Sequence, residues 1–409
     1  MTDVTEETVR TRAEGTAATD PDEQRVLELC EQLLAEHPPA TTPEREFLEA
    51  QFDLGLAWVH FPEGEGGLGL SPKLQRTIIT RLAAAGAPIG GQKNPIGYGM
   101  CAPAVQVHGT PEQKRLLRPL FSNEHIWCQM FSEPGAGSDV ASLSMRAERD
   151  GDEWVVTGQK VWTTLAHIAS YGLVIARTDP DLPKHKGITA FIVDMHAPGV
   201  EVRPLRQMTG EAEFNEVYLT ETRIPDSMRL DEVGRGWAVS ITTLMNERVS
   251  IGGGTPPRGA GPIGQLVDVW KAAADKDPVR RDQVARLWVQ AEVNRLTNLR
   301  AAQLRSAGTP GPEGSVAKLA MAELNKQIYD LAMDILGPEG MLYGSYEMVR
   351  PRQALFTDDM RKNFLRARAN SIEGGTSEVL KNIIGERVLG LPGDVRVDKD
   401  LPWKDVPRS

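Results

Sequence analysis

Four short stretches of this 409-residue chain carry residues whose types and spacing could do chemistry. The first is Ser132-Glu133-Pro134-Gly135-Ala136-Gly137-Ser138-Asp139. Glycine permits close approach, so this loop could turn several backbone N–H groups and a hydroxyl onto one anion. A tight turn between two strands is the simpler account of the glycines, and their spacing is not that of a dinucleotide fingerprint. The second stretch is Gly158-Gln159-Lys160-Val161-Trp162-Thr163-Thr164. Trp162 and Thr164, two apart on a strand, share a face, which suits a flat ring laid on an aromatic wall with a hydroxyl at its edge. Taken alone, the pair reads more simply as a core tryptophan beside a surface threonine.

The third stretch is Asn246-Glu247-Arg248, on a helix beginning near Trp237. Ser240, Thr243, Glu247, Ser250 and Gly254 fall on one stripe, a single carboxylate among small residues. Solvated faces are usually built from long charged side chains, so room for a ligand opposite Glu247 competes with the surface reading and stands slightly ahead of it. The fourth is Ser371-Ile372-Glu373-Gly374-Gly375-Thr376-Ser377-Glu378. Two glycines before a Thr/Ser cap leave helix N–H groups available to a ligand, or mark an ordinary N-cap.

Three kinds of element must position these residues. Asp20-Pro21, Ser71-Pro72 and Thr110-Pro111 each offer a cap followed by proline at the first helical position, with leucines behind at helical spacing. The chain to about 125 therefore reads as helical, after a polar tail at 1–20. Short apolar runs at 154–156, 171–177, 187–194, 200–205 and 216–222, separated by turn residues, predict a compact β-domain over 126–240. Helical periodicity returns at 241–395: Val284 to Leu304, then Leu324, Ile328, Leu331 and Ile335 up to Gly337-Pro338, then Thr376 to Leu389. Residues 396–409 read as a second tail.

Composition narrows the function. The net charge is −10, with 46 basic and 56 acidic residues and no basic block, which argues against nucleic acid or a polybasic membrane partner. No apolar run approaches the roughly 20 residues of a membrane span. Three scattered cysteines offer neither metal spacing nor a disulfide framework and fit a reducing cytoplasm.

The four stretches, in this order, resemble the acyl-CoA dehydrogenase family over residues 21 to 393. The octet at 132–139 is similar to the family's flavin and substrate loop, 160–164 to its second flavin motif, and Gly375-Thr376-Ser377 with Arg387 to its C-terminal signature. The resemblance implies an α+β multidomain fold: an N-terminal helical domain, a middle β-barrel or sandwich, and a C-terminal four-helix bundle. It implies FAD, with Met130, Ser132, Gly137, Ser138, Trp162, Thr164 and Thr376 as cofactor contacts. Ser138, Thr243 and Arg248 become substrate contacts, and the backbone N–H of Gly374 a donor to the thioester oxygen.

Many members carry the catalytic Glu directly before Gly-Thr-Ser, where this chain has Gly374, and Glu373 is one residue early. A smaller group places it on the pocket helix before an Arg, which Glu247-Arg248 matches. The expected reaction is α,β-dehydrogenation of an acyl-CoA, with Glu247 as base and electron-transferring flavoprotein as acceptor. The acyl group stays open, a bulky, branched or steroid side chain among the options.

Homotetrameric members contribute Arg-x-x-Phe-Gly to a neighbour's FAD. The segment at 280–285 lacks Phe-Gly, and Asp334 and Gly337-Pro338 replace a second contact. These departures resemble the actinobacterial subclass in which two different dehydrogenase chains form an α2β2 tetramer; neutral change within a homo-oligomer accounts for them equally. An acyl-CoA oxidase or flavin monooxygenase on the same scaffold, and a catalytically silent partner subunit, are the alternative functions.

Overall fold

The computed structural model describes residues 20–252, 256–306, 313–352, 359–395 and 397–407; the side chains of 248–252, 305, 306 and 313 are outside that description. The expected tail before Asp20, Gly254 and the side chains of Arg248 and Ser250 thus lie outside the described residues. The chain divides into two compact units, 1–89 and 90–409.

In the first unit, the Asp20 carboxylate accepts from the Asp22 N–H at 3.1 Å and opens α1 (Pro21–Glu36). Val26, Cys30 and Leu33 of α1 pack with Phe47 of α2 (Glu44–Asp53) and with Ile78 and Leu82 of α3 (Gln75–Ala84). This is the amphipathic pattern of the sequence realised as a small helical core.

The second unit opens with α4 (Ala102–His108), α5 (Pro111–Lys114) and α6 (Leu117–Phe121). Thr110 and Gln113 close a reciprocal capping box at α5. Eight strands follow: β1 (Trp127–Met130), β2 (Arg146–Asp150), β3 (Glu153–Thr164), β4 (Tyr171–Arg177), β5 (Ile188–Asp194), β6 (Val200–Pro204), β7 (Phe214–Pro225) and β8 (Arg229–Leu230). They form one mixed sheet in the order β6-β7-β3-β2-β4-β5-β8, with β1 parallel to β4. Trp154 on β3 and Phe191 on β5 are three strands apart, about 14 Å across a flat sheet. Their ring centroids lie 5.3 Å apart, so the sheet folds over onto one shared core. This is the compact β-domain that the turn spacing predicts, in the barrel-or-sandwich form that the family resemblance implies; β1 and β2 flank the glycine loop at 132–139.

The remaining helices are α7 (Gly236–Gly252), α8 (Pro262–Ala272), α9 (Pro278–Ser306), α10 (Glu313–Leu336), α11 (Met360–Ala367) and α12 (Ser377–Arg387). α10 is the hub: it packs against each of the other five. Leu324, Ile328, Leu331 and Ala332 of α10 share a core with Ile263, Leu266, Val284, Leu287 and Met360. α10 stops where Gly337 adopts φ +58° and Pro338 cannot continue it. No described helix is long and apolar enough to cross a membrane.

Candidate active site

The first two stretches meet along β3. Lys160 is fully buried, and its ammonium donates to the Phe131 carbonyl at 3.0 Å and to the Glu133 carboxylate at 2.9 Å. Glu133 also accepts from Ser144 N (2.7 Å), Ser144 Oγ (2.8 Å) and Met145 N (2.9 Å). Burial pushes the Glu133 carboxyl up, but the Lys160 charge and these hydrogen bonds outweigh it and hold the group below its ordinary range. The Val161 N–H donates to the Ser132 carbonyl at 2.9 Å, which sets Ser132 beside the Trp162 strand end.

That strand end is irregular. Pairing with β7 skips between Lys160 and Thr163, and Trp162 takes φ +60° in the bulge. Left-handed backbone at a bulky residue costs energy, and its recurrence at Leu165 (φ +56°) marks a constrained segment. The Trp162 ring is 56% exposed and stands edge-to-face on Phe214 at 5.9 Å. Thr163 is buried, whereas Trp162 is exposed and Thr164 half-buried at this strand end. Ser132 and Thr164 are both half-buried, and among the described residues neither hydroxyl has a hydrogen-bond partner. An open indole flanked by two unpartnered hydroxyls fits a flat, polar-edged ring system such as an isoalloxazine.

Other anticipated contacts differ in what they offer. Met130 is fully buried in the sheet core, which leaves its backbone as the part able to meet a ligand. Gly137 and Ser138 are exposed on the loop, and Asp139, next in line, is held by Lys184 at 2.7 Å. Thr376 caps α12, its hydroxyl accepting from Val379 N at 3.2 Å, so its side chain is committed to the helix. Thr243 is fully buried, and its hydroxyl donates to Val239 O at 2.9 Å; Ser240 does the same to Gly236 O at 2.8 Å. α7 packs on α4, on β5 and on the π-helical turn at 97–101, and small residues suit such close approach. Those two members of the stripe therefore face protein. Thr242 and Asp231 are joined through His108, with contacts of 2.9 and 2.8 Å, a link over more than a hundred residues that no local pattern announces.

Glu247 and the fourth stretch are brought together by α10. Glu247 is half-buried on α7, and its carboxylate acts on the charge of Lys318, a residue on α10 that is 1% exposed. Lys318 Nζ donates to the Gly375 carbonyl at 2.6 Å. One turn further along α10, the Glu323 carboxylate accepts from Ser371 Oγ at 3.1 Å and Ser377 Oγ at 2.9 Å. Between these anchors Gly374 and Gly375 adopt φ +61° and +92°, where a side chain would be strained. Glu373 has both oxygens engaged: Arg366 forks it at 3.1 and 2.8 Å, and Asn370 adds 2.9 Å.

Arg366 also joins the two halves. Its guanidinium lies over the Phe214 ring at 5.5 Å, on the same ring that supports Trp162, and approaches Glu213 at 3.5 Å. Phe214, Lys318, Glu323 and Arg366 were not singled out by sequence reasoning, because helical and strand periodicity marks them only as ordinary half-buried positions.

Matches to known proteins agree with this architecture. The N-terminal, middle and C-terminal domain models of acyl-CoA dehydrogenase match residues 23–124, 128–222 and 234–389. Acyl-CoA dehydrogenase FadE34 of Mycobacterium tuberculosis is 40% identical over 86% of this chain, which spans 47% of that protein's length. Acyl-CoA dehydrogenase IpdE1 of the same organism is 37% identical, with 84% of this chain and 86% of that one covered. The ChsE4-ChsE5 complex from Mycobacterium tuberculosis superposes with a TM-score of 0.67 at 29% identity, covering 93% of this chain and 100% of that one. The chain belongs to the acyl-CoA dehydrogenase family. It is an oxidoreductase of that class, and FAD is the cofactor that the family brings.

Proposed function

We propose that the chain catalyses α,β-dehydrogenation of an acyl-CoA thioester, with Glu247 as the base that takes the α-proton. The observation that carries this is the placement of two acids around Lys318. Glu373 is locked in the Arg366 fork, and Glu247 is half-buried on α7, its charge acting on Lys318, the residue that grips the Gly375 carbonyl. An α-hydrogen beside a thioester is a weak acid, so the developing enolate oxygen needs donors. The Gly374 N–H, on the Gly374–Gly375 turn, is proposed as one of them. The Glu247 charge acts on the buried Lys318, which ties the proposed base electrostatically to the residue that holds the turn. FAD, when bound, would supply the acceptor for the β-hydride. Ser132, Thr164 and Trp162 would hold it, with the backbone at Met130, Gly137 and Thr376 in support; Ser138 is proposed on the substrate side, while the buried Thr243 faces protein and is withdrawn as a substrate contact.

The test is anaerobic addition of a panel of acyl-CoA thioesters, linear, branched and steroid-derived, to the FAD-loaded protein. The account expects flavin bleaching with at least one of them. It also expects retained FAD but bleaching slowed by about 10² to 10⁴ or more in Glu247→Gln, the range of a positioned base. Bleaching of the variant at the wild-type rate would rule Glu247 out. Reoxidation by air, rather than by electron-transferring flavoprotein, would indicate an oxidase.

Assembly with a second dehydrogenase-like chain is proposed on the likeness to the ChsE4-ChsE5 complex. A native mass of a homotetramer with full FAD content would refute it. A reducing cytoplasm accords with Cys30, Cys101 and Cys128 as buried free thiols.

A further inference from the structure

A buried lysine is expensive to maintain, so its neighbours indicate what it is for. Lys318 sits inside the α10 hub, and its ammonium donates to one backbone oxygen, Gly375 O, at 2.6 Å. That carbonyl belongs to the turn whose two glycines are held in left-handed backbone. Such a turn has no side chains of its own to fix it, and glycine populates several alternatives. Ser371 and Ser377, bound to Glu323, tether the ends of the segment but leave the middle to Lys318.

We infer that Lys318 is a positioning residue for the reaction: by gripping the Gly375 carbonyl it orients the Gly374–Gly375 peptide so that the Gly374 N–H faces the thioester oxygen. The inference rests on the reading of Glu247 and Gly374 given above.

The charged groups around the ammonium come from three directions: Glu247 from α7, Glu373 from the turn and Glu323 from α10 itself. Burial lowers the Lys318 pKa, and these three carboxylates counter it. The ammonium form is what makes the grip strong, since a charged donor bonds a carbonyl about twice as strongly as a neutral one. A methionine of similar length would fill the same space without the buried charge. A purely structural lysine would show its loss in the melting midpoint alone, whereas a positioning lysine also shows it in the rate and in the carbonyl polarisation of the folded variant.

The experiment compares FAD-loaded wild type, Lys318→Met, Lys318→Gln, Lys318→Arg and Glu247→Gln. Three readouts are taken: kcat against KM, the melting midpoint, and the pH at which a bound 3-ketoacyl-CoA ionises, followed by its enolate absorbance. The 3-ketoacyl-CoA is the probe because its α-proton is acidic enough to pass to solvent, so its enolate forms without Glu247 and reports carbonyl polarisation directly. For Lys318→Met we expect kcat to fall at least tenfold, KM to stay within about threefold, and the melting midpoint to fall, since the Gly375 carbonyl loses its donor. The bound probe should ionise at a pH at least one unit higher, a tenfold loss of enolate stabilisation. Lys318→Arg should recover part of both effects. If the methionine variant does not fold, Lys318→Gln, a neutral donor, must show the same loss of kcat and the same displaced ionisation. Unaltered kcat and ionisation in whichever neutral variant folds, beside an inactive Glu247→Gln, overturns the role of Lys318 alone. Near-normal turnover by Glu247→Gln overturns the base assignment on which the inference rests.

Discussion

Two acids stand close to the Gly374–Gly375 turn, and their neighbours give them different chemistry. Arg366 holds Glu373 through two charge-assisted bonds. Replacing it by Gln should cost roughly 2–3 kcal/mol in denaturant unfolding, because two neighbouring carboxylates, Glu373 and Glu213, then lose their counter-charge. Glu133 gives a prediction with a sign. Its folded pKa is lowered, so the unfolded chain binds more protons at low pH and the stabilisation is present in full above an ordinary glutamate's value of about 4.3. It is lost as pH falls through the lower folded value. Lys160→Met should remove that dependence, cost about 3–5 kcal/mol and lower FAD retention, because the carboxylate is left buried and unpaired. An unchanged acid limb of the stability curve would contradict this. The motifs themselves were legible, since glycine, tryptophan and small hydroxyl residues stand out at fixed spacing. Their supports were not: Lys160 reaches Glu133 across 27 residues and Arg366 reaches Phe214 across about 150, distances at which local pattern carries no information.

At the scale of elements, the end of β3 stores strain. Trp162→Gly should relieve left-handed backbone worth about 1–3 kcal/mol while removing the indole wall. The expected outcome is weaker FAD binding with the apoprotein's melting midpoint little changed; a variant that binds FAD as wild type would deny Trp162 its role. Sequence reading placed Trp162 and Thr164 on one face by simple alternation; the bulge that leaves Trp162 exposed and Thr164 half-buried is invisible to a period of two. A second element was read only as a tail. Residues 397–407 lie along the β-domain: Trp403 stacks under the Arg177 guanidinium at 4.8 Å and donates to Ser142 O at 3.2 Å, and Lys184 joins Asp398 to Asp139 at 2.6 and 2.7 Å. Trp403→Ala should cost about 1–2 kcal/mol and speed proteolysis within 139–144, beside Ser138. These contacts depend on charges and one indole rather than apolar periodicity, which is why composition alone suggested a tail.

At the scale of the whole molecule, helix, sheet and helix follow one another as periodicity predicts, and the family models match that order. The sheet of the second unit carries the proposed flavin wall, and α10 carries the two groups that hold the turn at 371–377. Arg366 and Phe214 link them, so changes in the bundle can be felt at the strand end. The central claim is that Glu247, and not Glu373, takes the α-proton. The most direct test is single-turnover anaerobic flavin reduction by Glu247→Gln and Glu373→Gln, measured side by side with a thioester that bleaches the wild type. The account predicts a loss of at least about 10²-fold for Glu247→Gln and a rate within a few-fold of wild type for Glu373→Gln. The reverse ordering, a slow Glu373→Gln beside an active Glu247→Gln, would contradict it.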